Sequence, residues 1–239
     1  IDSYAALAAD ENRPLYNRAL LGTYTPGSTY KPGVAAAALS EGVITRNTVI
    51  VDKGVYDFGD YHPRCWIYLR FGRTHGAQTV IEAIQNSCNY FFYEVGRLTG
   101  IKTLDDYATQ FGLGQYTGIE IGGPNSAGPA YSESTGNVWN PGNTLQAAIG
   151  QSDNMFTPLQ LSVYISTLLS GGTRYRAHML RSVHAYPSGA ADGLYPPGSG
   201  QPGGPFCGEM PRKYRRNLKK PLAFFQWECY HNKVPSNSM

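Results

Sequence analysis

The chain has 239 residues, of which 41% are hydrophobic and 15% are charged, and its formal net charge is +3. A charged share so far below the roughly 25% usual for soluble domains excludes disorder driven by net charge over most of the chain. The longest apolar run, at residues 34–39, is much shorter than the about 20 residues that cross a bilayer. Because the chain begins with Ile and shows no signal peptide, we interpret it as a piece of a longer protein.

Apolar periodicity predicts three helices in the first part of the chain, over residues 28–39, 80–84 and 90–98. Ser28 follows a Pro-Gly turn and is predicted to cap the first of them. Residues 48–51 predict a short strand. The segment that follows, up to residue 76, is rich in Gly, Tyr and Arg and is predicted to be a loop. Residues 87–89 break the helical pattern between the second and third helices.

Further along, the patterns predict a helix over 103–111, a strand over 118–121, a loop over 122–143 and a helix from Thr157 to about Leu169. Thr103 and Asp106 nearly match a capping box. Thr157 and Gln160 match it fully, with Pro at the first helical position. These elements predict a helix-rich α+β domain with few strands.

A change of composition near residue 185 predicts a boundary. Residues 1–185 carry 13 Lys and Arg against 14 Asp and Glu, whereas residues 186–239 carry seven against three. Six Pro and seven Gly fall within residues 186–211 and disfavour helices and strands there, and a basic run follows at residues 212–220. We predict a globular domain over 1–185 and a disordered or frame-shifted tail over 186–239. No nucleic-acid recognition motif accompanies the basic run, so we expect no nucleic-acid partner.

Ser28 and Lys31 are the first candidates for chemistry. They lie three positions apart at a helix start, which places both side chains on one face, where they can meet. A desolvated lysine can remove the proton that keeps a serine hydroxyl a poor nucleophile. The spacing alone also fits a capping Ser beside an exposed Lys, because chance often supplies such a pair.

A second pair, Ser87 and Asn89, lies at the break between two predicted helices. Such a Ser can relay a proton, and an Asn amide can hold a substrate amide. Both residues can equally serve as helix caps, and Ser152-Asp153-Asn154 repeats the same S-x-N pattern. No Cys-x-x-Cys pair and no dense disulfide framework is present among Cys65, Cys88, Cys207 and Cys229.

Five ordered segments resemble class B penicillin-binding proteins, the D,D-transpeptidases that cross-link peptidoglycan. They are the segment 16–32, which ends in P-G-S-T-Y-K-P, the segment 65–76, the S-C-N segment 82–96, the F-G-L-G segment 111–119 and the G-Q…T-P-L-Q-L segment 149–161. In the first of these the family usually has Phe where this chain has Tyr30. The similarity extends over about residues 1–184. It favours Ser87 over Ser152, which stands where relatives carry the second Gly of G-Q-G.

The resemblance implies a penicillin-binding or serine β-lactamase-like transpeptidase fold and a role for each candidate residue. Ser28 would be the acylated nucleophile, Lys31 its general base and Ser87 a proton relay, while Asn89 would hold the substrate peptide. Peptidoglycan stem peptides would be the substrates and β-lactams covalent inhibitors of the same Ser. No metal and no organic cofactor is implied. The full-length protein is expected at the extracytoplasmic face of the bacterial membrane, held there by an anchor absent from this chain.

The family's third motif, K-[TS]-G, does not occur in the sequence; the nearest match is Lys102-Thr103-Leu104. Relatives also carry sheet strands before the region of Ile1, so we expect a domain incomplete at both ends, an incomplete central antiparallel sheet, and weak or no activity in this chain. Two alternatives remain. One is a serine β-lactamase or β-lactam sensor, which the 65–76 excursion disfavours. The other is a non-catalytic piece whose basic tail binds a membrane or nucleic acid.

Overall fold

The computed structural model describes residues 2–121 and 139–179. In this part of the chain, eight α-helices and two β-strands follow one another: α1 (Asp2–Ala9), α2 (Lys31–Ser40), β1 (Ile50–Asp52), α3 (Trp66–Phe71), β2 (Gly76–Gln78), α4 (Val80–Gln85), α5 (Asn89–Thr99), α6 (Ile101–Gln110), α7 (Pro141–Ala148) and α8 (Pro158–Leu169). Strands β1 and β2 pair antiparallel, with Val51 opposite Ala77. The predicted α+β class and the excess of helix over strand are confirmed. None of the helices described has both the length and the apolar character that crossing a membrane requires.

Helix α2 lies at the centre of the core. Its residues Val34 and Ala35 to Ala38 are at most 1% exposed, so the helix is surrounded on nearly all sides. The small alanine side chains let α5 and α6 pack closely, and these helices bury Phe91, Phe92 and Tyr107. Each such side chain contributes about 1.5–3 kcal/mol when it leaves water. The helix that carries the candidate lysine is therefore held rigidly from several directions.

Several predicted boundaries change. Ser28 does not cap a helix; it lies within a 3-10 turn at Gly27–Tyr30 that precedes α2, and Pro26 stands at the cap position without a side-chain bond. Helix α6 begins at Ile101 after Gly100, two residues before the predicted start, so the capping box predicted at Thr103 is wrong.

Other differences concern whole elements. Residues 118–121 form no strand, and the loop predicted up to residue 76 contains the short helix α3. The loop predicted over 122–143 overlaps α7, which Asn140 caps by accepting a bond from the Asn143 N–H; residues 122–138 lie outside the described part. The capping box of Thr157 and Gln160 is confirmed.

Candidate active site

Ser28 lies in the 3-10 turn that leads into α2. The turn is held at its start, where the Gly27 N–H donates to the Gly150 carbonyl at 2.9 Å. The Thr29 hydroxyl donates to the Pro26 carbonyl at 2.7 Å. A side chain at Gly150 would place its Cβ 2.1 Å from the Gly27 carbonyl oxygen, so the backbone contact that supports this turn requires glycine there.

Lys31 is the first residue of α2 and is 1% exposed. Its ammonium donates to three oxygens: the Ser87 carbonyl at 2.8 Å, the Ser87 hydroxyl at 3.0 Å and the Asn89 side-chain oxygen at 2.6 Å. Burial lowers the pKa of Lys31 to about 8, although the neighbouring thiols of Cys65 and Cys88 oppose that shift. The structure thus joins residues 31, 87 and 89, which the sequence only placed in separate motifs.

Ser87 and Asn89 lie at the junction of α4 and α5. Ser87 has a φ of 51°, in the left-handed region that costs a residue with a side chain about 1–3 kcal/mol. Cys88 caps α5, accepting a bond from the Phe91 N–H. This break directs the Ser87 hydroxyl to Ser28, whose Oγ accepts its hydrogen bond at 2.9 Å.

The Ser87 hydroxyl therefore lies between Ser28 and Lys31. Among the described residues, no hydrogen bond joins the latter two directly; both bond to the Ser87 hydroxyl. When Lys31 is neutral, these two hydrogen bonds can reverse their direction, with Ser28 donating to Ser87 and Ser87 donating to the amine.

Asn89 begins α5, with its side-chain oxygen already engaged by Lys31. A substrate carbonyl could therefore be bound by its NH2 group alone. The rival Ser152-Asp153-Asn154 segment makes other contacts: Asn154 is fully buried and donates to the carbonyls of Ala147 and Gln151. It is Ser87 that bonds to Ser28 and Lys31.

A second buried cluster adjoins the first through Cys88. The donor atoms of Asp52, Cys65, His75 and Cys88 all lie within 4.8 Å of one another. His75 Nδ1 is 2.8 Å from the Asp52 carboxylate and 3.5 Å from Cys65 Sγ, and the two sulfurs are 4.0 Å apart. Burial alone would raise the pKa of Asp52, but bonds from the backbone N–H groups of His75 and Gly54 and from the His75 ring hold it below its usual value.

This set of two thiols, an imidazole and a carboxylate matches the ligands that Zn²⁺ takes in tetrahedral sites. A hydrogen bond from Cys88 lowers the pKa of Cys65, which favours the thiolate form that metals bind. The set is absent from the sequence predictions because its members come from the end of β1, the cap of α3, the residue before β2 and the cap of α5. Their spacing matches no local metal motif. A metal held there would hold Cys88 in place, and Cys88 lies between Ser87 and Asn89 in the sequence.

Comparison with known proteins identifies the family to which this chain is similar. A model of the "Penicillin binding protein transpeptidase domain" matches residues 3–205. The chain is 37% identical over 184 residues to the peptidoglycan D,D-transpeptidase MrdA of Escherichia coli K12, covering 75% of this chain but only 29% of that protein. The chain therefore spans less than a third of the length of this relative.

Solved structures agree with the predicted fold. The structure resembles Pseudomonas aeruginosa PBP2 in complex with WCK 5153, with a TM-score of 0.69 and 30% identity over 91% of this chain and 48% of that chain. It also resembles a penicillin G acyl-enzyme complex of penicillin-binding protein A from M. tuberculosis, with a TM-score of 0.63 and 26% identity over 76% of this chain and 40% of that chain. The transpeptidase-like fold is thereby confirmed, and the chain belongs to the penicillin-binding protein transpeptidase family, in its class B branch.

Proposed function

We propose that this chain carries the acyl-transfer site of a peptidoglycan D,D-transpeptidase. The observation that carries the proposal is the chain of hydrogen bonds from Ser28 through Ser87 to a buried Lys31, with donor–acceptor distances of 2.9 and 3.0 Å. A nucleophile, a relay and a base of lowered pKa in one line are what acyl transfer at a serine requires.

In the proposed reaction, the Ser28 oxygen attacks the carbonyl between two terminal D-alanines of a stem peptide. Its proton passes to the Ser87 oxygen while the Ser87 proton passes to the neutral Lys31 amine. The C–N bond then breaks, and the departing D-alanine nitrogen takes a proton back along the same chain. The amine of a second stem peptide then attacks the ester carbonyl. As the C–O bond breaks, a proton from that amine passes along the same hydrogen bonds to the Ser28 oxygen, and a new amide cross-link is left.

Two further groups would stabilise this pathway. The Ser28 N–H lies in the first turn of a helical segment, where backbone donors have no intrahelical partner, so it can donate to the oxyanion. The NH2 group of Asn89 would hold a carbonyl of the stem peptide. The sequence contains no K-[TS]-G, which in the family supplies an anion-binding group, and we therefore expect slow acylation.

The remaining expectations extend this proposal. Residues 1–185 would form the transpeptidase domain, and the tail over 186–239, beyond the described part, would be disordered or frame-shifted. Peptidoglycan stem peptides would be substrates and β-lactams covalent inhibitors. The full-length protein would act at the extracytoplasmic face of the membrane, held there by a membrane anchor.

Incubation of the 239-residue chain with a fluorescent penicillin tests the proposal. Mass spectrometry should locate the adduct on Ser28, the Ser28→Ala variant should lose it, and the matched Ser152→Ala variant should keep it. An adduct on another residue, or one that survives Ser28→Ala, would refute the assignment. Rapid turnover of a chromogenic cephalosporin would instead favour a β-lactamase.

A further inference from the structure

Tyr164 of α8 reaches across the core to the junction between the 3-10 turn and α2. Its side chain is fully buried and its ring packs edge-on against Phe111, with centroids 5.8 Å apart. The hydroxyl accepts a bond from the Gly33 N–H at 2.8 Å. It lies 3.1 Å from the Thr29 carbonyl and 3.2 Å from the Tyr30 carbonyl, either of which accepts its proton.

These contacts occur where the backbone hydrogen bonds of the two helical segments are interrupted. Pro32 has no N–H, so the Thr29 carbonyl cannot receive the bond that would continue the 3-10 pattern. The Gly33 N–H, which would donate to Thr29 in a continuous α-helix, donates to the Tyr164 hydroxyl. The phenol therefore occupies the position of a missing backbone bond between the two helical segments.

The approach of the hydroxyl depends on glycine at position 33. A Cβ at Gly33 would lie 2.9 Å from the Tyr164 oxygen, closer than side chains normally come. Burial raises the pKa of Tyr164, which keeps the phenol neutral and able to donate as well as accept.

We propose that Tyr164 is a positioning residue, whose hydroxyl joins the turn that carries Ser28 to the helix that carries Lys31 and sets their separation so that Ser87 fits between them. This inference rests on the proposed acyl transfer. Loss of the hydroxyl leaves the Gly33 N–H and the Thr29 carbonyl free to pair directly, which would extend the α-helix and turn Ser28 away from Ser87. A displacement of about 1 Å at a reacting group is enough to cost about 100-fold in rate.

The test compares Tyr164→Phe with Tyr107→Phe. Tyr107 is also buried and packs its ring beside α2, but its hydroxyl donates to Glu41 beyond the far end of that helix. Fluorescent penicillin acylation of the 239-residue chain separates the non-covalent dissociation constant from the acylation rate constant. Tyr164→Phe should lower the rate constant at least tenfold and leave the dissociation constant within about threefold, while Tyr107→Phe should change neither by more than threefold.

Equal rate constants in the two variants would overturn the inference. A wild-type chain that fails to acylate contradicts the proposed function for this chain, and amide hydrogen exchange then decides the inference separately. Tyr164→Phe should alter exchange in peptides covering residues 26–34, whereas Tyr107→Phe should leave those peptides unchanged. Wild-type exchange throughout residues 26–34 in Tyr164→Phe would refute the positioning role.

Discussion

The most direct test of the proposed chemistry is the pH dependence of acylation. Lys31 must be neutral to take a proton from Ser87, and burial lowers the pKa of Lys31 to about 8. With that pKa, about 1% of the amine is neutral at pH 6, about 10% at pH 7 and about 90% at pH 9. The acylation rate constant should therefore rise about 90-fold from pH 6 to pH 9 and level off above that range.

The groups that face Lys31 set the midpoint of this profile. The thiols of Cys65 and Cys88 oppose the effect of burial, and the ring of Phe92 lies 5.7 Å from the ammonium. The pKa of Cys65 is lowered, and a thiolate there would stabilise the charged ammonium. Cys65→Ser removes that negative charge, so it is expected to move the midpoint to lower pH.

Stopped-flow fluorescence with a labelled penicillin, at constant ionic strength, measures the rate constant at each pH. The Ser152→Ala variant serves as control. It should give the same pH profile as the wild type, because Ser152 does not take part in the hydrogen bonds between Ser28, Ser87 and Lys31. A rate constant that is flat or falls between pH 6 and pH 9 would show that Lys31 is not the base.

Three further changes probe the same region. Ser87→Ala should lower the acylation rate constant by about 10²–10⁴, measured with the same penicillin, since it removes the relay; an unchanged rate would exclude that role. Dialysis against Zn²⁺ should leave one ion per chain and raise Tm, because an ion that binds only the folded state stabilises it by about 2.7 kcal/mol at 100 times Kd. His75→Ala should abolish both effects, and full zinc retention by that variant would contradict the assignment. Gly150→Ala should destabilise the fold by about 1–3 kcal/mol in chemical denaturation, because its Cβ would meet the Gly27 carbonyl, whereas wild-type stability would show that the turn can relax.

Local signals predicted well the features that depend on neighbours in the chain. The capping box of Thr157 and Gln160 forms as its sequence indicates, because both bonds are made within one helical turn. The break between α4 and α5 was also predictable from residues 87–89. Helix α7 carries an equally local signal, an Asn cap followed by Pro, which the Gly- and Asn-rich surroundings obscured.

Features made by distant parts of the chain could not be predicted in the same way. The 3-10 turn at Ser28 is joined to α2 by the hydroxyl of Tyr164, which lies 131 residues after its partner Gly33. No local sequence pattern predicts a contact between residues so far apart. The four donors near Cys88 meet only after β1 and β2 pair and α5 packs beside them. The motif residues were visible in the sequence, but the order Ser28–Ser87–Lys31 was not.

That order changes how the S-x-x-K spacing should be understood. All three hydrogens of the Lys31 ammonium are directed to residues 87 and 89, so the lysine is oriented by the start of α5 more than by its own helix. The serine three residues earlier is connected to the lysine through the Ser87 hydroxyl, which bonds to both. The base and nucleophile are therefore matched through Ser87, and a change that shifts α5 relative to α2 should reduce acylation even when the S-x-x-K segment itself is intact.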